Sequence, residues 1–128
     1  MSFLLDTHTV LWFLDGSSSL SRNARKSIEN TQSTKFISIA SLWEIAIKQG
    51  LGKISTAIPL EELMQSILEN GFEILPLDFG HILTLSRLED FHRDPFDRII
   101  IAQALTENLG LISKDRNFNL YNGVKLVW

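Results

Sequence analysis

The sequence predicts an α/β fold, a three-layer α/β/α sandwich with a mostly parallel central sheet. Three observations favour this class. The chain has 128 residues, the length of one ordinary domain, so we expect a single domain over residues 1–128. Its hydrophobic fraction of 45% is sufficient to bury a core. Short apolar runs alternate with longer amphipathic stretches, and strands separated by helices are typical of a parallel sheet.

Short apolar runs bounded by polar or turn residues predict the strands. These runs lie at residues 3–5, 35–39, 72–75, 111–113 and 124–127. The stretches between them have the spacing of amphipathic helices. They lie at residues 9–14, 21–30, 42–49, 60–69, 79–88 and 95–108. Pro59 before the fourth helix and Asn70-Gly71 after it are ordinary start and stop signals.

Composition and charge exclude several classes of protein. Without cysteine there is no disulfide framework, no cysteine-ligated metal and no thiol nucleophile. The net charge of −3 excludes binding to nucleic acid through overall electrostatic attraction, so any such binding must rely on local positive patches or on metal. The first residues lack the basic segment of a signal peptide, and no apolar run approaches the roughly 18 residues that span a bilayer. We therefore expect a soluble cytoplasmic protein.

Four carboxylates follow strands or open helices inside strongly apolar sequence. Asp6 directly follows the first predicted strand, and Asp115 follows the fourth. Glu44 and Asp97 lie near the starts of two predicted helices. Because ligands of parallel α/β folds sit beyond the carboxyl ends of the strands, we expect these four side chains to meet at one edge of the sheet.

Each of these acids also has a local structural explanation. Glu44 and Ser41 match a capping box, and Asp97 follows a helix start in which Asp94 is the N-cap and a proline comes next. The two acids after strands could be ordinary turn residues. Coincidence explains any one of them, but it explains all four poorly.

The energetics of such a cluster favour a bound cation. Two carboxylates about 5 Å apart repel by roughly 3 kcal/mol at an effective dielectric constant near 20. Four of them would oppose folding by an amount comparable to the stability of a small domain. Either some are protonated or a cation neutralises them. Hard oxygen ligands without cysteine favour Mg²⁺ or Mn²⁺, and Mg²⁺ held by carboxylates activates water for phosphodiester cleavage.

The motifs together resemble a known family. They are Asp6-Thr7 after the opening strand, Trp43-Glu44 in a helix, the segment His92-Arg-Asp-Pro-Phe-Asp-Arg-Ile-Ile-Ile-Ala-Gln103, and a late Ser113-Lys-Asp115. In this order, over essentially the whole chain, they are similar to the motifs of PIN domains, and most closely to VapC-type toxin nucleases of bacterial toxin–antitoxin pairs. The resemblance implies a Mg²⁺- or Mn²⁺-dependent endoribonuclease that is usually a homodimer and is silenced by a cognate antitoxin.

The resemblance also implies roles for individual residues. Asp6, Glu44, Asp97 and Asp115 match the acidic quartet that holds metal in this family, so they are the expected catalytic and metal-binding residues. Asp94 is an additional acid one helical turn before Asp97. We expect Asp94 to be the helix N-cap, with contact to metal or water as the alternative.

Other side chains are expected around this quartet. Thr7 and Ser113 are candidates to hydrogen-bond the ligating carboxylates. Basic residues beside the acids in sequence are candidates to bind RNA phosphates, with solvated surface charge as an equal alternative. They are Lys48, Arg93, Arg98, Lys114 and Arg116. We expect His92 in a loop, and Trp12 in the core or at a dimer interface rather than stacked on a base.

Two other functions are considered. A receiver-type phospho-acceptor module has a similar length, topology and Mg²⁺ pocket. However, Asp6 stands alone where receivers need an acidic pair, and residues 72–76 lack the phospho-acceptor. The other alternative is a catalytically inactive relative that only binds its partner. The chain has no DNA-binding element of its own, so we expect operator recognition to come from the antitoxin.

Overall fold

The computed structural model describes all residues from Met1 to Trp128 and has a five-stranded sheet at its centre. The strands lie in the order β3-β2-β1-β4-β5, and all four pairings are parallel. The strands are β1 (Ser2–Leu5), β2 (Thr34–Ser38), β3 (Glu73–Leu75), β4 (Gly110–Ile112) and β5 (Lys125–Val127). The predicted parallel sheet is confirmed, and β1 is its central strand.

Six α-helices connect the strands, as predicted. They are α1 (Thr7–Asp15), α2 (Arg22–Glu29), α3 (Ile39–Gly50), α4 (Leu60–Glu69), α5 (Phe79–Ser86) and α6 (Pro95–Thr106). A short 3₁₀ helix, Arg116–Leu120, follows β4 and was not predicted. None of the helices combines the length and apolar character needed to cross a bilayer.

The start of α3 differs from the prediction. The helix begins at Ile39 because the Ser38 side chain accepts a hydrogen bond from the Ala40 backbone N–H and caps the first turn. Ser41 is therefore buried inside the helix, and the predicted capping box of Ser41 and Glu44 is wrong. By contrast, Asp94 caps α6 as predicted, since its side chain accepts from the Phe96 backbone N–H.

The hydrophobic core lies on both faces of the sheet. Successive side chains of a strand point to opposite faces, so Leu5 joins one cluster and Leu4 joins the other. The first cluster packs the sheet against α1 to α4, with Val10 and Ile45 among its members. The second packs it against α6 and includes Ile101. This arrangement is the predicted three-layer α/β/α sandwich.

Candidate active site

One cavity at the carboxyl edge of the sheet collects the predicted acids. Its volume is about 150 Å³. It is lined by Asp6, Thr7, His8, Glu44, Lys48, Asp94, Asp97, Asp115 and Phe118. The structure thus brings together all four carboxylates of the predicted quartet, along with the additional acid at the start of α6. We call this space the acidic cavity.

The first acid is held in place by its own helix and by β4. Asp6 follows β1 and is the N-cap of α1, where its Oδ1 accepts a hydrogen bond from the Thr9 backbone N–H at 2.9 Å. Its other oxygen accepts a hydrogen bond from the Ser113 hydroxyl. Desolvation by burial raises the pKa of Asp6 above its usual value, although these hydrogen bonds oppose the shift. The hydrogen bonds therefore fix the direction of the carboxylate, while burial disfavours its charged form.

Glu44 is the most deeply buried of the acids, and both of its carboxylate oxygens have a partner. Its exposed fraction is 3%. The Thr7 hydroxyl donates to its Oε1 at 2.5 Å, and the Thr7 hydroxyl lies 3.0 Å from that of Ser41. Lys48 Nζ binds Glu44 Oε2 at 2.5 Å and Asp94 Oδ2 at 3.2 Å. Thr7 thus contacts a carboxylate of the quartet, as predicted, and Lys48 links two acids.

Lys48 supplies the positive charge inside the acidic cavity. Desolvation lowers its pKa, but the hydrogen bonds and negative charges of Glu44 and Asp94 outweigh that effect, so the pKa of Lys48 lies above its usual value. The ammonium is therefore charged at neutral pH and neutralises part of the cluster. Its predicted contact with RNA phosphate stays a prediction.

Asp97 differs from the other acids because it has no partner. It lies in the first turn of α6, is half-buried, and neither accepts a hydrogen bond nor pairs with a cation. Desolvation and the negative charges of Asp94 and Glu44 raise its pKa to about 7. An unpartnered carboxylate facing other carboxylates is the position at which a cation would be most favourable.

Asp115 is positioned by a histidine, a contact that the sequence analysis does not predict. His92 Nε2 lies 2.8 Å from Asp115 Oδ2, and its Nδ1 lies 3.0 Å from the Tyr121 hydroxyl. The ring packs against those of Phe118 and Tyr121, with centroid distances of 4.7 and 5.5 Å. Asp115 Oδ1 accepts from the Asn117 backbone N–H and caps the 3₁₀ helix. His92 is in a loop, as expected, but it orients an acid of the quartet.

The other four basic candidates lie outside the acidic cavity. Arg98 donates to the Glu89 carbonyl oxygen at 2.9 Å and lies 3.6 Å from Asp90. Arg93 and Arg116 are exposed and form no ion pair, and Lys114 lies over the ring of Trp12. Arg98 thus contacts the loop that precedes α6. A role in RNA binding stays a prediction for these four basic residues.

The donor chemistry of the cavity fits a hard divalent cation. No three carboxylate or imidazole groups converge on one point at ligating distance in this side-chain arrangement. Mg²⁺ does not require such a cage, because it is usually bound by one or two carboxylates and keeps several water molecules. The cavity offers carboxylate oxygens, no thiolate, and in Asp97 a carboxylate that no other group neutralises. These residues fit Mg²⁺ or Mn²⁺ better than zinc.

Comparison with known proteins agrees with this architecture. Ribonuclease VapC22 from Mycobacterium tuberculosis is 28% identical over 113 residues, which are 88% of this chain and 86% of that protein. DNA-bound VapBC from Salmonella typhimurium has a similar fold, with a TM-score of 0.71, 18% identity, and coverage of 98% of this chain and 96% of that one. VapBC2 from Rickettsia felis, bound to a DNA fragment from the promoter, also has a similar fold. Its TM-score is 0.70 and its identity 19%, with coverage of 98% of this chain and 97% of that one. The PIN domain model matches residues 3–124, so the chain belongs to the PIN domain family.

Proposed function

We propose that this protein is a metal-dependent endoribonuclease and the toxin of a toxin–antitoxin pair. The observation that carries the proposal is the convergence of Asp6, Glu44, Asp97 and Asp115 on one cavity, with Asp97 unpartnered, in a PIN domain. The similarity to a VapC ribonuclease supports RNA as the substrate. The receiver-type alternative is not retained, because the chain belongs to a different family.

The quartet is the proposed metal site. Asp6, Glu44, Asp97 and Asp115 would hold Mg²⁺ or Mn²⁺, with Asp94 at its border. PIN ribonucleases generally use divalent metal ions, which is consistent with the oxygen-only donors of the cavity. A bound divalent ion would supply an activated water and offset the charge on the departing oxygen.

The surrounding residues keep the carboxylates in fixed directions. Ser113 and the Thr9 backbone N–H hold Asp6. Thr7 orients Glu44. His92 orients Asp115 from a ring that packs against two aromatic rings. Side chains fixed in this way need little rearrangement when charge develops during the reaction, and such preorganisation is a large part of enzymatic rate enhancement.

The proposal predicts metal-dependent cleavage of RNA by the purified protein. Mixed cellular RNA should be cut at internal positions when Mg²⁺ or Mn²⁺ is present, and cutting should stop in excess EDTA and return when the ion is restored. Denaturing gel electrophoresis of the RNA measures this outcome. Cleavage that continues unchanged in excess EDTA would contradict the metal mechanism, and an inactive protein under all metals would favour the alternative of a binding-only relative.

We further propose that a cognate antitoxin binds the chain and covers the acidic cavity, and that the chain forms a homodimer. Solved VapBC complexes support the partner, and α3, which carries Glu44, also borders an apolar groove lined by Ile39, Leu42, Trp43, Leu60 and Met64. Recognition of operator DNA would then belong to the antitoxin.

Expression of the chain alone should inhibit bacterial growth, and co-expression of the small protein encoded beside it should restore growth. Colony counts under induction measure both effects, because a toxin that cleaves RNA stops growth and a bound antitoxin removes that effect. Co-purification of the two proteins is the matching physical test. Growth that stays inhibited, with no co-purification, would contradict the proposed partner.

A further inference from the structure

A second groove adjoins the acidic cavity and is built from different chemistry. It has a volume of about 370 Å³ and is lined by Asp6, His8, Trp12, Lys114 and Asp115. Asp6, His8 and Asp115 also line the acidic cavity, so the two spaces share a wall. We call this space the tryptophan groove. It combines an aromatic ring and a cation directly beside the carboxylates.

The indole of Trp12 is held in a defined position. It packs against the hydrophobic cluster on one face of the sheet, and the side chain is half-buried. The rings of His8 and Trp128 lie 5.8 and 5.9 Å from it, centroid to centroid. Because these neighbours already hold the half-buried ring, its ordering costs little entropy when a ligand stacks on it.

A cation lies at the same groove. Lys114 Nζ is 5.8 Å from the centroid of the Trp12 ring. Lys114 is exposed and forms no ion pair with an acid, unlike Lys48 in the neighbouring cavity. Proteins bind single-stranded nucleic acid with these two kinds of group, an aromatic ring that stacks on a base and a cation that binds a phosphate.

We propose that the tryptophan groove binds one unpaired nucleotide of the RNA next to the bond that is cut. The base takes the place of the exposed Lys114 ammonium over the Trp12 ring, beside His8, and the ammonium binds the phosphate of that nucleotide. This inference rests on the proposed ribonuclease function and adds a substrate subsite to it. A base within a duplex has no free face to offer the indole, so the groove selects single-stranded segments or unpaired bases of structured RNA.

The test measures RNA binding without cleavage. In an Asp97→Asn background with Mg²⁺, a fluorescent short oligouridylate is titrated and its anisotropy recorded. Trp12→Leu, which keeps an apolar side chain but removes the aromatic face, should weaken binding about ten-fold. Trp12→Phe keeps a stacking face and should stay within about three-fold of the parent. Phe79→Leu, an exposed aromatic position at the start of α5 outside both cavities, should leave binding unchanged.

A modified substrate isolates the stacking contact. A series of oligonucleotides is made in which one abasic position moves stepwise along the strand. The affinity of each oligonucleotide is measured for the parent and for Trp12→Leu. At the nucleotide that enters the groove, the difference between the two proteins should disappear, because there is no base to stack. Circular dichroism melting shows whether Trp12→Leu is folded. Lys114→Gln, a surface change, should in addition reduce the slope of log affinity against log salt concentration by about 0.7.

The outcomes separate this inference from the proposed function. Equal RNA affinity of the parent, Trp12→Leu and Lys114→Gln overturns the subsite, whether or not the wild-type protein cleaves RNA. A wild-type protein that cleaves no RNA, but binds it in a manner dependent on Trp12, overturns the nuclease proposal and supports the subsite. Loss of antitoxin binding with unchanged RNA binding in Trp12→Leu would assign the groove to a protein partner and overturn the inference.

Discussion

Replacing Asp97 with asparagine should reduce RNA cleavage by about a thousand-fold or more, which corresponds to roughly 4 kcal/mol of transition-state stabilisation. Asp97 is the carboxylate that no hydrogen bond or cation neutralises, and it faces the other acids of the cavity. The amide keeps the shape of the side chain but removes the charge that would hold a divalent ion. Initial rates on a defined RNA, at saturating Mg²⁺, measure the effect.

A matched control distinguishes the specific loss of the Asp97 charge from the general effect of removing one negative charge from this part of the chain. Asp90 lies in the loop before α6, and its side chain is 90% exposed. Asp90→Asn makes the same chemical change a short distance along the chain and should retain wild-type cleavage. Full activity of Asp97→Asn would remove Asp97 from the catalytic machinery, and equal losses in both variants would point to a general effect of charge.

The stability of the Asp97→Asn variant provides a further control. Because the folded-state pKa of Asp97 is about 7, against 3.8 for the free side chain, ionisation opposes folding. The metal-free wild-type protein therefore loses stability as the pH rises from about 4 to 7. In EDTA at pH 8, Asp97→Asn should be more stable than wild type by roughly 1 to 2 kcal/mol, a figure reduced for partial solvent screening. Chemical denaturation at pH 5 and pH 8 measures the difference, which should shrink at pH 5.

The fold was predictable because its signals are repeated along the chain. Five apolar runs and six amphipathic stretches alternate, and only a few topologies accommodate such an order. Helix ends carried less information, since several residues can cap one turn. Both Ser38 and Ser41 are acceptable N-caps, and the choice of Ser38 depends on how β2 leads into α3. The 3₁₀ helix after Asp115 is only five residues long, too short for a periodic pattern.

The acids of the candidate site and their contacts with Thr7 and Ser113 were also predictable, but the places of His92 and Trp12 were not. A parallel sheet brings the carboxyl ends of its strands to one edge, and that rule alone placed the four acids together. The contact between His92 and Asp115 joins residues 23 positions apart, and no motif connects them. Likewise, Trp12 follows the apolar pattern of α1, and only the packed structure shows that part of its ring borders a groove.

Replacing Lys48 with methionine should destabilise the metal-free protein by about 2 to 3 kcal/mol at pH 8. Lys48 is the cation that pairs with Glu44, and Glu44 is 3% exposed. Removing one partner of a buried ion pair leaves the other charge without compensation, which costs more than the pair itself contributes. The Thr7 hydroxyl would remain as the hydrogen-bond donor to Glu44 and offset only part of that cost. Denaturant unfolding in EDTA measures the change.

A further measurement ties this loss to the buried charge. Mg²⁺ should stabilise Lys48→Met more than wild type, since a divalent ion at the acids would replace the missing ammonium. Lys53→Met, an exposed position with no ion pair just beyond α3, is the matched control and should change stability little. If Mg²⁺ stabilises Lys48→Met no more than it stabilises wild type, the ammonium does not neutralise the cavity.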